Sequence, residues 1–256
     1  MVNMNHRDVA IRAALRSGRL IKNSVGKIEK ISYKGRDNIV TDVDKKAEKI
    51  IINYILKAFP DHSILSEESE PRSGDSHYKW IIDPLDGTTN FAHAFPFFCV
   101  SIALEKDGRI ILGVVYDPLR GEMFIAEEGR GARLNGKKIH VSKVKKLIDG
   151  FLATGFSYGI KKKDRNIAYF KKLLTRSQAI RRAGSAALDL CYVACGRFDG
   201  FWEMDLHPWD SAAGMLIVKE AGGKVTKFDS SPYSPYDKNI LATNSLIHNH
   251  ISKFLT

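Results

Sequence analysis

Trp80-Ile81-Ile82-Asp83-Pro84-Leu85-Asp86-Gly87-Thr88-Thr89-Asn90-Phe91 is the stretch from which the rest of the chain is read. It opens as an apolar run of the length of a buried strand. Asp83-Pro84 ends the run: proline biases the residue before it toward extended geometry and, having no N–H, stops the ladder. Asp86-Gly87-Thr88-Thr89 then supplies a turn, a glycine and hydroxyls suited to capping a following helix. Two carboxylates thus stand just past a strand end, beside backbone N–H groups. Carboxylates bind hard cations and N–H groups at a helix start bind phosphate, so the stretch reads as a metal-assisted phosphate site. Two acids in a surface turn are commonplace by themselves; the length of the pattern and the rest of the chain favour the site.

The 256 residues suffice for one large domain or two lobes sharing a core. Apolar content of 44% and charged content of 27% are those of a globular protein. No run approaches the roughly 18–20 apolar residues of a membrane span. The first residues lack the basic-then-apolar layout of a secretory signal, so the expected compartment is the cytoplasm. Cys99, Cys191 and Cys195 are too few and too poorly spaced for a disulfide framework or a zinc site, and read as small buried hydrophobes. The net charge of +11 admits nucleic-acid binding, attraction of anionic substrates or a lysine-rich surface. Its lysine clusters are not interleaved with aromatics, so a solvated basic face is expected over a dedicated nucleic-acid site.

Residues 6–23 carry a helical stripe of Ile11, Ala14, Leu15, Gly18 and Ile21. Tyr33 to Val40 read as a turn-bearing loop. Thr41 caps a second helix, with Val43, Ala47, Ile50, Ile51, Tyr54 and Ile55 inward and Asp44 in its first turn. Ser63–Ser66 read as a strand, followed by Glu67-Glu68. Residues 97–142 alternate apolar runs with Asp-Gly and Asn-Gly turns, an antiparallel meander. Beyond residue 145, strands and helices alternate. One helix, over 163–175, is expected to turn Ile167, Phe170 and Leu174 inward. Gly184-Ser185 opens another, and Pro208-Trp209-Asp210 a third.

The opening stretch resembles the first signature of the inositol monophosphatase family, magnesium-dependent and lithium-sensitive phosphomonoesterases. Glu203 to Gly223, with Trp209-Asp210-Ser211-Ala212-Ala213-Gly214, is similar to the family's second signature. Arg182 to Asp189 resembles its bacterial and archaeal members. These matches follow the family's order from about residue 34 to residue 223. The resemblance implies an α/β (α+β) fold, the layered αβαβα sandwich of sugar phosphatases. Residues 1–144 would form an N-terminal α+β lobe with the metal site. Residues 145–256 would form a C-terminal α/β lobe completing the substrate site, in one catalytic unit.

Position by position, the resemblance makes Glu67, Asp83 and the Leu85 carbonyl ligands of one Mg²⁺. Asp83, Asp86 and Asp210 would hold a second, with Glu67 sharing a weaker third. Thr88 and Asp44 would orient the attacking water, and the Gly87 and Thr88 N–H groups would hold phosphate. Asp86, Ser185, Ala186, Glu203 and Asp210 would meet substrate hydroxyls, with Arg181 a further substrate or subunit contact. His93 and His207 receive no role and are expected to be packing or surface residues; Trp209 is expected to be a core anchor. The implied activity is hydrolysis of myo-inositol monophosphate by water, in a homodimer. The alternatives are a fructose-1,6-bisphosphatase or dual-specificity sugar phosphatase and, from another class, a regulatory protein binding RNA or a transcription complex.

Overall fold

The chain begins with α1 (His6–Ser24), whose cap Asn5 accepts the Asp8 N–H at 2.9 Å. A short antiparallel pair, β1 (Ile31–Tyr33) and β2 (Ile39–Thr41), leads into α2 (Asp42–Ala58). A computed structural model describes residues 5–27, 31–33, 39–156 and 165–255, so most of the loop expected between Tyr33 and Val40 lies outside the described residues. The stripe of α1 is rotated from the expected one: Val9, Ala10, Ala13, Ala14, Ser17, Gly18 and Ile21 are buried, and Leu15 is 44% exposed. Gly18, part of the expected stripe, stays on the buried face. A Cβ there would fall 2.5 Å from the Tyr116 ring, so the face bearing Gly18 is the one that can press onto the sheet. On α2, Ile50 and Tyr54 are only half-buried, whereas Asp44 and Glu48 are buried.

Then follow β3 (Ser63–Ser66), β4 (Tyr78–Asp86), α3 (Thr88–Ala92), β5 (Cys99–Lys106), β6 (Arg109–Asp117), β7 (Glu122–Glu127), β8 (Ala132–Leu134) and β9 (Lys137–Lys138). Among the described residues these strands form one sheet in chain order, β3 parallel to β4 and the rest antiparallel. The meander is as expected. The end of β4 is not: the strand runs through Pro84 to Asp86, with a shifted register against β5 between Asp83 and Asp86. A proline is tolerated inside a sheet at such a bulge, and β3 pairs with β4 only as far as Ile82.

The second half supplies β10 (Phe151–Thr154), α4 (Arg165–Leu174), β11 (Ala179–Arg181), α5 (Ala186–Ala194), β12 (Gly200–Met204), α6 (Pro208–Glu220), β13 (Lys224–Thr226), β14 (Asn239–Thr243) and α7 (His248–Ser252). Their sheet runs β11-β10-β12-β14-β13, parallel across the first three strands and antiparallel beyond. α4 buries Asn166, Tyr169 and Leu173 in place of the expected stripe, and Leu174 is 50% exposed. Apolar periodicity discards a polar residue, yet here Asn166 anchors the inner face. Its amide donates to the Gly155 carbonyl at 2.6 Å and its Oδ1 accepts the Trp202 indole N–H at 2.7 Å.

Three apolar clusters define the layers. α1 and α2 pack on the outer face of the first sheet around Ile51, Trp80 and Val114. α5 and α6 lie between the sheets, in a cluster that joins Ile81, Val115 and Phe124 to Leu190, Phe201 and Ala242. Tyr169, Leu173 and Ile251 cover the far face of the second sheet. The order α-β-α-β-α is the expected one. Among the described residues no helix is long and apolar enough to cross a membrane.

Candidate active site and metal centre

The bulged end of β4 aims its acids into a cleft of about 300 Å³. Each acid is held by a local bond. Asp83, buried, accepts the Leu85 N–H at 2.9 Å. One oxygen of Asp86 accepts the Ser185 hydroxyl at 2.6 Å and the Ala187 N–H at 2.8 Å, tying β4 to the first turn of α5. Asp210, in the first turn of α6, accepts the His207 N–H at 2.7 Å. Carboxylate oxygens of Asp83, Asp86 and Asp210 lie within 4.8 Å of one another. Glu67 follows β3, its N–H bonded to the Ile82 carbonyl at 3.2 Å, and lines the same cleft.

Burial and the charges of Glu67, Asp86 and Asp210 push Asp83 well above the usual carboxylate range. Burial, with Asp210 next, raises Asp86 to about 7, although its bonds from Ser185 and Ala187 oppose the rise. Negative groups packed this way repel unless a cation sits among them. The donors are all oxygens, which suits a hard divalent ion such as Mg²⁺ and not a thiolate-seeking metal.

A second pair lies beside this cluster. The Thr88 hydroxyl is 2.8 Å from Asp44 Oδ1 and 3.0 Å from the Leu85 carbonyl. The other Asp44 oxygen accepts the Thr41 N–H at 2.8 Å and the Thr41 hydroxyl at 2.5 Å. Asp44 is fully buried, and burial raises its pKa against those bonds. The hydroxyls after Asp86 were expected to cap; instead Gly87, at φ 93°, is the cap of α3 and makes no side-chain bond, while Thr88 turns back to Asp44.

The far wall of the cleft carries Ser185, Ala186 and Glu203. Glu203 is buried with its carboxylate against Gly155, where a Cβ would fall 2.0 Å from Oε1. One expectation, the substrate contact of Arg181, needs correction. Arg181 is not in the cleft lining: its guanidinium lies over the Phe151 ring at 4.8 Å and bonds the Ile180 carbonyl. Side chains alternate along a strand, so the next residue, Arg182, faces the cleft instead. His207 is an exposed residue that packs on Trp209. Its backbone holds Asp210, its ring stacks on Trp209 at 4.9 Å, and Asp210 raises its pKa. Trp209 lines the cleft while packing on the central cluster, and His93 stays exposed outside it.

Asp189 escaped the sequence reading. It is 1% exposed, lines the cleft, and its Oδ1 has no hydrogen-bond partner among the described residues. The signal was present, since Asp189 lies four residues after Ser185 on one helix and so on the same face.

Comparison with known proteins bears on this arrangement as a whole. Residues 3–255 match the inositol monophosphatase family. The inositol-1-monophosphatase of Synechocystis is 47% identical over 251 residues, which span 97% of this chain and 88% of that protein. The Nus factor SuhB of Salmonella typhimurium is 46% identical over 240 residues, 92% of this chain and 90% of its own. The crystal structure of the extragenic suppressor protein suhB from Bartonella henselae superimposes with a TM-score of 0.94 at 43% identity, covering 98% of both chains. The chain belongs to the inositol monophosphatase family of phosphoric monoester hydrolases.

Proposed function

We propose that the protein hydrolyses myo-inositol monophosphate to inositol and phosphate, using Mg²⁺ held by Glu67, Asp83, the Leu85 carbonyl, Asp86 and Asp210. The carrying observation is the convergence of Asp83, Asp86 and Asp210 beside the Asp44–Thr88 pair. Bound there, magnesium ions would neutralise phosphate charge and lower the pKa of water. The chain's own residues supply the rest. Thr88, donating to Asp44, turns a lone pair toward the cleft and accepts a hydrogen bond from the attacking water. Asp44 takes up the relayed proton as the water oxygen bonds to phosphorus and the P–O ester bond breaks. The N–H groups of Gly87 and Thr88 hold phosphate oxygens, and Ser185, Ala186 and Glu203 face the inositol hydroxyls. The active unit is a cytoplasmic homodimer that binds two ions, with Glu67 sharing a third, and is inhibited by Li⁺.

Asp83→Asn tests the site. Mg²⁺-dependent phosphate release should vanish while the protein still melts cooperatively; full activity in the variant would refute the assignment. Comparing kcat/KM for inositol 1-phosphate and fructose 1,6-bisphosphate decides between the leading reading and a sugar bisphosphatase.

A second reading rests on the relatives named Nus factor and on one surface. α1 and α2 expose Arg12, Arg16, Arg19, Lys22, Lys45 and Lys49, a basic face away from the cleft. A salt-dependent complex with RNA or transcription proteins that survives Asp83→Asn would support a role beside catalysis.

A further inference from the structure

Of the two buried acids of the cleft outside the metal centre, Glu203 and Asp189, only Glu203 has a role so far. Asp189 sits one turn along α5 from Ser185, its N–H bonded to the Ser185 carbonyl at 3.0 Å. Ser185 in turn holds Asp86. Asp189 does not belong to the group of converging metal-ligand oxygens, yet it lines the same cleft. Its side chain is 1% exposed and its Oδ1 has no partner among the described residues. A buried acceptor without a donor is a standing cost, which a folded protein keeps where something else supplies the donor.

Glu203, on β12, faces the same space. Its carboxylate lies on the bare Cα of Gly155, in room that any side chain there would fill. Arg182 is the arginine of this wall, and its field acts on both acids. The wall away from the metal centre thus presents two carboxyl groups against one guanidinium.

Resting on the reading of the cleft as a polyol-phosphate site, we infer that Asp189 is a specificity-determining residue: with Glu203 it accepts hydrogen bonds from neighbouring hydroxyls of a neutral polyol and disfavours a second phosphate. A hydroxyl supplies the missing donor. A phosphate dianion supplies only acceptors and negative charge, and it would meet two carboxyl groups in a wall that carries one guanidinium.

The test is Asp189→Asn, which keeps the shape and removes an acceptor oxygen. Three substrates are compared under Mg²⁺: inositol 1-phosphate, fructose 1,6-bisphosphate and p-nitrophenyl phosphate, which has no hydroxyls to read. The expected result is a loss in kcat/KM for inositol 1-phosphate at least tenfold greater than for p-nitrophenyl phosphate, carried by KM. The bisphosphate-to-inositol ratio should rise at least tenfold. Calorimetry of myo-inositol binding in the presence of inorganic phosphate should weaken to match. Equal losses on all three substrates, or no change, would overturn the inference. If the Asn variant does not fold, Asp189→Ser is used; failure of both to fold assigns Asp189 to the core and ends the proposal. A wild-type enzyme that cleaves p-nitrophenyl phosphate but neither sugar ester would instead overturn the polyol reading itself.

Discussion

Removing magnesium should destabilise the protein by an amount that grows with pH, and the structure sets the size. In the absence of a cation, burial and Asp210 raise Asp86 from 3.8 to about 7. A rise of roughly three pH units, at about 1.36 kcal/mol each, gives about 4 kcal/mol. The folded protein then binds a proton that the unfolded chain has released, so stability falls as pH rises from about 4 through about 7. Asp83, raised for the same reasons, acts in the same direction, and the two acids titrate as a pair. Two buried histidines work oppositely. His248, between the Thr226 and Thr243 hydroxyls at 2.9 Å each, and His62, accepting the Trp80 indole N–H at 3.0 Å, are both lowered from 6.5 to about 4. Their contribution is present above pH 6.5 and is lost as pH falls toward 4.

A single melting curve would mix these terms, but a difference separates them. The histidines titrate alike with and without Mg²⁺, because neither lies in the cleft lining. The experiment records Tm by calorimetry from pH 5 to 8.5, once with excess MgCl₂ and once with chelator. The gap between the curves should be small at pH 5 and reach the order of 10 °C at pH 8, at about 2–4 °C per kcal/mol for a chain of this size. Asp86→Asn, which carries no charge to repel, should flatten the chelated curve and shrink the gap. A gap that is constant from pH 5 to 8 would refute the reasoning, since the acids would then not be held against their charge.

Asp44→Asn and Thr88→Ala should each lower kcat by about 10²–10⁴ with little change in KM, because both act on the water and not on substrate affinity; steady-state kinetics with saturating Mg²⁺ checks this. Trp202→Phe should cost about 1–3 kcal/mol in urea unfolding, since it removes the indole N–H that donates to Asn166 Oδ1 at 2.7 Å and trims a fully buried side chain.

How much of this was legible in the sequence depended on how local each signal was. The meander could be read because its turns and alternation lie within a few residues of each other. The acids Asp83 and Asp86 stood out because carboxylates at the end of an apolar strand have no packing reason to be there. Asp210 lies more than a hundred residues away, and only resemblance joined it to them. The errors share a cause. Pro84 stops a ladder in general, but a bulge absorbs it here. The inner face of α4 is led by Asn166, which bonds partners on β12 and next to β10 that no periodicity displays. Asp189 was passed over because its spacing from Ser185 puts it on the cleft face only once the cleft, with Glu203 on Gly155, is in place.

Each acid of the cluster has a bond of its own, and this bears on how the site would hold a cation. Asp83 is fixed by Leu85, Asp86 by Ser185 and Ala187, Asp210 by His207, and Asp44 by Thr41. None of these bonds uses another carboxylate, so the cluster does not depend on metal for its shape. The fold opposes the repulsion with the apolar core between the sheets, where α5 and α6 are pinned from both sides. A cation bound there would need little reorganisation of these acids, and its binding energy would go into relieving charge. Loosening the helices should then weaken metal affinity without touching a ligand. Leu190, whose side chain lies 2.7 Å from where a Gly214 Cβ would be, marks a tight contact between α5 and α6. Spreading that contact would displace Asp86's partners on α5 and Asp210 on α6.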